Sequence, residues 1–211
     1  MPHIEIARLL RPFAVALLLS FPAVPAPAQG DLSAPGPDLR EQAFGPTDAP
    51  VTVIEYASLT CHHCRDFHIK HWPAIRDKYV NTGKVRFIFR EFPLDNFAAA
   101  GSMLARCSGD MKWYQAVDTL FKNDDRWAHA DKPFEGMKAV MAETGMTSEQ
   151  FDQCLSDKSL FDKIMAVHKR GKDAGVSSTP TFFINGEKSS GALTPEEFAA
   201  IVDPLLAKAQ K

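Results

Sequence analysis

The sequence predicts an α/β fold, one mixed β-sheet flanked by helices, with a helical block inserted into it. Three observations predict this. A strand–helix–strand unit occupies roughly residues 51–90, a helix-rich block runs from Asp95 to about Gly171, and a strand, hairpin and helix close the chain. Two parallel strands joined through a helix need a right-handed crossover, so the first unit sets the handedness of the sheet. A chain of 211 residues is long enough for one well-packed domain carrying an insertion.

The first 28 residues stand apart from this fold. Arg8 and Arg11 precede an apolar run from Phe13 to Phe21, and a Pro/Ala stretch ends in Ala26-Pro27-Ala28. This is the pattern of a cleavable secretory signal, residues 1–28, with cleavage expected after Ala28. The run is about ten residues, half of the 20 or so that span a bilayer. An uncleaved anchor is the alternative. Residues 29–43, rich in Pro, Gly and polar groups, read as a flexible leader. Export predicts an oxidising compartment, in which disulfides persist.

Composition narrows the function classes. Hydrophobic residues make up 45% and charged residues 24%, and the net charge is −2. Removing the signal deletes two arginines and one glutamate and leaves about −3, with no basic excess for nucleic acid and no polybasic block for a membrane surface.

The elements follow in order. Gly45-Pro46-Thr47-Asp48-Ala49-Pro50 is turn chemistry. Val51-Thr52-Val53-Ile54-Glu55-Tyr56-Ala57 is β-branched and aromatic, apolar at nearly every position, and so reads as a strand buried on both faces. A helix follows to about Tyr79, with Pro73 expected to kink or divide it. Val85-Arg86-Phe87-Ile88-Phe89-Arg90 is the second strand. The block from Asp95 to Gly171 reads as three to five helices, with a capped start at Thr147-Ser148-Glu149-Gln150. Thr181-Phe182-Phe183-Ile184 is a third strand, Asn185-Gly186 a tight hairpin turn, and Glu187–Gly191 its return. Thr194-Pro195-Glu196-Glu197 opens the last helix with an N-cap, a proline at the first helical position and acids in the first turn.

Cys61 and Cys64 carry the chemistry. They lie three positions apart, between a buried strand and a helix. At a helix start the unpaired backbone N–H groups favour an anion, which lowers the pKa of the first cysteine and primes it as a nucleophile. Cys64, one turn on, can close a disulfide with it. His62 and His63, if cationic or donating, would stabilise the Cys61 thiolate; exposed helix-start residues are the bland alternative. Zinc binding by this cluster with His68 and His71 is the competing chemistry, but a structural zinc site usually needs a second, well-separated ligand pair, and no other C-x-x-C exists here. His68 and His71 read as surface or packing residues, and no metal is assigned.

Glu55 is a carboxylate in an apolar strand, six residues before Cys61. Buried, it would act as a proton acceptor or donor for Cys64; facing solvent at a strand edge, it would do nothing. Thr179-Pro180, just before the third strand, falls at a tight bend where a cis peptide is plausible and would leave a backbone edge for a substrate strand. Cys107 and Cys154 remain in the helical block. Pairing them is the remaining option once Cys61 and Cys64 are assigned, with two buried free thiols as the alternative.

These runs, together with Phe89-Arg90-Glu91-Phe92-Pro93-Leu94 and Gly175-Val176-Ser177-Ser178-Thr179-Pro180-Thr181-Phe182-Phe183-Ile184-Asn185-Gly186, resemble the DsbA-like thiol–disulfide oxidoreductases of the bacterial periplasm. The resemblance covers about residues 44–205. It implies a thioredoxin fold formed by residues 44–95 and 172–211, with an inserted helical domain over 96–171. It implies Glu55 as the buried acid, Thr179 and Pro180 as the substrate-side cis-proline loop, and Cys107–Cys154 as the extra disulfide of one branch. The implied activity is oxidation of unfolded or reduced exported proteins by a monomer with no cofactor beyond the Cys61–Cys64 disulfide, reoxidised by a membrane quinone-linked thiol oxidase. His62-His63, where better-known members carry Pro-His, and Thr179, where they often carry Val, are departures at positions that tune redox potential. An isomerase or reductase of the same fold is the alternative, and a zinc- or peptide-binding module is the alternative of another class.

Overall fold

The structure is a computed structural model that describes Leu32 and residues 39–209. The expected secretory signal and most of the expected leader lie outside the described residues. Five strands form one sheet: β1 (Gln42–Phe44), β2 (Val51–Ala57), β3 (Val85–Glu91), β4 (Thr181–Ile184) and β5 (Glu187–Ser190), in the order β1-β3-β2-β4-β5. β2 and β3 are parallel, as the crossover requires, and the other neighbours are antiparallel. β1 starts inside the segment read as a flexible leader. Gln42 pairs with Phe89 across the β3 edge, and Leu32 packs with Ile54, Tyr56 and Phe183. Polar composition hid both because β1 is only three residues long.

β2 is central, so both its faces are covered. Val51 and Val53 face the helical layer built from Phe67, Trp72, Ile75 and Tyr79. Ile54 and Tyr56 face the other way, toward Val167, Val176 and Phe183. Each of these fully buried large side chains stabilises the fold by about 1.5–3 kcal/mol relative to exposure. A helix comes close to the sheet at Gly171, where an added Cβ would lie 2.6 Å from the Tyr56 ring. Only a glycine lets the backbone come so near.

The helix after β2 is divided. α1 (His62–Asp66) passes into a π-helical segment, Phe67–His71, then α2 (Trp72–Ile75) and a second π-helical segment, Arg76–Val80. Pro73 explains the first break. It has no N–H to donate, and the backbone opens just before it, where Trp72 N–H bonds to the Phe67 carbonyl, five residues back.

Among the described residues, six helices lie in the chain between β3 and β4, one more than the upper expectation. They are α3 (Asn96–Cys107), α4 (Trp113–Lys122), α5 (Asp124–Trp127), α6 (Pro133–Ala142), α7 (Ser148–Leu155) and α8 (Lys158–Asp173). α5, a single turn, is too short to show a helical period. The Thr147 capping box forms as expected, with Gln150 bonding back to the cap. Asn185 and Gly186 both adopt positive φ, 47° and 89°, as a tight hairpin turn requires. The closing helix α9 (Pro195–Ala209) starts with Thr194 and Glu197 capping one another. None of the described helices is long and apolar enough to cross a membrane.

Candidate active site

The site is the junction of β2 and α1. Phe92 N–H bonds to the Ala57 carbonyl at 2.7 Å, extending the β2–β3 ladder past Ala57. Ser58 Oγ accepts from Leu94 N–H, and Thr60 Oγ1 donates to Asp95, the N-cap of α3, at 2.7 Å. The loop that presents Cys61 is thereby tied to the start of the helical block. On the other side, Arg65 holds both oxygens of the buried Asp124 carboxylate at 2.8 and 2.9 Å.

Cys61 is the N-cap of α1, with extended backbone (φ −87°, ψ 114°), and its carbonyl accepts from Arg65 N–H to begin the helix. Its Sγ is half-buried and 3.2 Å from the Thr179 carbonyl, to which the thiol donates. The Thr179–Pro180 peptide is cis. Cys64 lies one turn further on and is fully buried, and both cysteines are free thiols in this structure.

The two thiols have opposite electrostatics. Cys61 is lowered to about 5, foremost by the hydrogen bond from the Cys64 thiol. Partial burial opposes this, and the backbone N–H groups of Cys64 and His63 add to it. Cys64 is pushed well above the ordinary cysteine range, first by burial, then by donating to Cys61, then by the negative charge of Glu55. One sulfur is therefore a thiolate at neutral pH and its neighbour a thiol.

The histidines separate. The imidazoles of His62 and His63 are exposed and lie against one another, ring centres 3.9 Å apart. The contribution of His63 to the Cys61 thiolate comes through its backbone N–H. His68, expected at the surface or in simple packing, is buried, and its Nε2 sits 3.0 Å from Glu55 Oε2. Its spacing carried the signal: His68 is four residues after Cys64 and so on the same helix face. Among the described residues, no three His, Cys, Asp or Glu side chains converge where they could hold a metal ion.

Glu55 has no solvent exposure. It stands opposite Phe89 and Phe182 in the central strand, so the strand-edge alternative is excluded. Cys107 and Cys154 form a disulfide, with Cα atoms 6.1 Å apart, joining the end of α3 to α7. The alternative of two free thiols falls away.

With this geometry in view, comparison with known proteins is informative. A thioredoxin family model matches residues 39–204. The crystal structure of α-DsbA1 from Wolbachia pipientis is similar to this chain at 31% identity and a TM-score of 0.78, covering 86% of this chain and 98% of that one. A Rickettsia bellii protein named protein-disulfide oxidoreductase is 32% identical over 154 residues, 71% of this chain and 58% of its own length. The chain thus spans a little under three fifths of that relative. The matched region contains both thiols, the buried acid and the cis-proline loop, and the chain belongs to the thioredoxin family as a DsbA-like member.

Proposed function

We propose that the protein is a thiol–disulfide oxidoreductase, working as a dithiol oxidase on reduced or unfolded exported proteins. The unlike environments of Cys61 and Cys64 carry this reading. In the oxidised form a substrate thiolate attacks Cys61 Sγ, the Cys61–Cys64 bond breaks, and Cys64 leaves and takes up a proton. A second substrate thiolate then attacks the substrate sulfur of the mixed disulfide, and Cys61 leaves as a thiolate. A low pKa makes Cys61 a good leaving group, and stabilising its thiolate favours the reduced enzyme, which makes the disulfide oxidising.

Glu55 serves as the proton partner of Cys64. Thr179 and Pro180, whose carbonyl edge already meets Cys61, guide the substrate segment past it. His62 and His63, at the exposed rim, tune the potential and partner choice. We place the reaction in the periplasm, after removal of the signal ending at Ala28. The enzyme acts as a monomer and a membrane quinone-linked thiol oxidase returns it to the disulfide form. No cofactor other than the Cys61–Cys64 disulfide enters this scheme. Residues 44–95 and 172–211 form its redox domain, and 96–171 cover the thiol end.

Equilibration against glutathione at neutral pH tests the direction. The expected potential lies well above that of thioredoxin, about −270 mV. A value near that figure would assign the chain to reduction or isomerisation instead.

A further inference from the structure

Opening the Cys61–Cys64 bond, and closing it again on reoxidation, requires proton traffic at a sulfur with no access to water. Cys64 has no solvent exposure, and neither does Glu55. A carboxylate enclosed this way is costly unless a partner shares its charge. That partner is His68, whose side chain is only 3% exposed and whose Nε2 lies 3.0 Å from Glu55 Oε2.

The surroundings of the pair supply nothing equivalent. His68 is packed by the rings of Phe67 and Trp72 from its own helical stretch, Phe89 from β3 and Phe121 from α4, the last stacked at 4.9 Å. Among the described residues, the ionisable group that meets it is Glu55 from β2. Tyr114 from α4 also feels the Glu55 charge, but burial foremost pushes it up to about 12 and holds it as a neutral phenol. The Glu55 charge also acts on Cys64. Moreover, Glu55 Oε1 and His68 Nδ1 are both buried without a hydrogen-bond partner. Buried polar atoms are normally paired, and an exception calls for a reason, a catalytic role among them.

We propose that His68 and Glu55 act as one proton-sharing pair, with His68 the positioning residue that lets Glu55 deliver a proton to Cys64 and take it back. This rests on the exchange chemistry proposed above and deepens it. At rest the pair holds one dissociable proton, shared across the Nε2–Oε2 contact. When a substrate thiolate attacks Cys61 and the Cys61–Cys64 bond breaks, the electron pair goes to Cys64 Sγ. The proton of the pair moves to that sulfur, leaving neutral His68 beside ionised Glu55. On reoxidation Cys64 attacks the mixed disulfide formed with the oxidant, and its proton returns to the pair. Sulfur, proton and charge balance in both directions.

The test compares wild type, His68→Gln and Glu55→Gln. Gln at position 68 keeps a donor toward Glu55 and a similar size but cannot share a proton. The rate at which reduced glutathione opens the oxidised enzyme is followed from pH 5 to 9. The proposal expects His68→Gln to be slower by about a hundredfold at the alkaline end, the lower bound of what a positioned proton donor contributes, with the gap closing toward acid. It expects Glu55→Gln to show the same altered profile. His68→Gln with the wild-type profile, while Glu55→Gln loses it, overturns the pairing and leaves Glu55 acting alone. Should His68→Gln not fold, nuclear magnetic resonance titration of wild type decides. The Glu55 carboxyl and His68 imidazole signals must move together, with midpoints that differ between the oxidised and reduced enzyme, and independent titration overturns the proposal. Absence of any exchange by wild type would instead overturn the function itself, and this inference with it.

Discussion

The chain holds two cysteine pairs, and they differ in almost every physical respect. Cys61 and Cys64 share one helical turn at a strand-to-helix junction, one sulfur half-exposed among N–H donors and the other enclosed beside a carboxylate. Cys107 and Cys154 are 47 residues apart and join two helices of the block, each at the C-terminal end of its helix. The first pair is built so that its two sulfurs disagree about ionisation, which makes exchange possible. The second is built to close a long loop, which restricts the unfolded chain. Cysteine chemistry here is decided by what surrounds the sulfur.

Substitutions can break this contrast. Cys61→Ser should abolish exchange with glutathione outright, since no other sulfur at the site reaches solvent; residual turnover would mean that Cys64 can act alone. Joint replacement of Cys107 and Cys154 by Ser should leave the Cys61–Cys64 potential in place while lowering stability to denaturant by about 4 kcal/mol, the loop-closure value for this separation. A shift of the potential instead would couple the two pairs.

Two smaller effects sharpen it. Cys64→Ala removes the donor that most lowers Cys61, so the Cys61 titration should rise by at least about one unit, worth about 1.4 kcal/mol. Cys64→Ser, which can still donate, should hold it lower than Cys64→Ala does. Equal values for the two would assign the thiolate to the helix-start amides alone. The reduced protein should also gain stability with rising pH. Cys61 titrates at about 5 when folded and near 9.0 when free, so between those values the unfolded chain binds the additional proton. The gain begins as pH passes 5 and grows to about pH 9; the oxidised protein, with no thiol at the site, should lack it. Urea midpoints of both forms across that range measure the difference.

Much of this was legible in the residues. Val51–Ala57 and Val85–Arg90 announced buried strands through β-branched and aromatic runs, and Asn185-Gly186 announced the hairpin through the one dipeptide suited to its two positive φ values. The Cys61–Cys64 spacing announced the site because a helix start is a local feature. What escaped was non-local. β1 has three residues and a polar start, so nothing in its period betrays that Gln42 pairs with Phe89. The spacing of His68 from Cys64 puts it on the thiol face of the helix, but its contact with Glu55, between a helix and a strand, has no sequence signature. Pro73 predicts a disturbed helix, but not that the helix answers with a π-helical turn in which Trp72 N–H reaches back to the Phe67 carbonyl.

The central claim is that Cys61 and Cys64 ionise far apart, and thiolate absorbance of the reduced protein followed against pH tests it most directly. The account predicts a single transition centred near pH 5, absent in Cys61→Ser, with no second thiolate appearing below pH 9. Two overlapping transitions near the free-cysteine value, about 8.5, would contradict it.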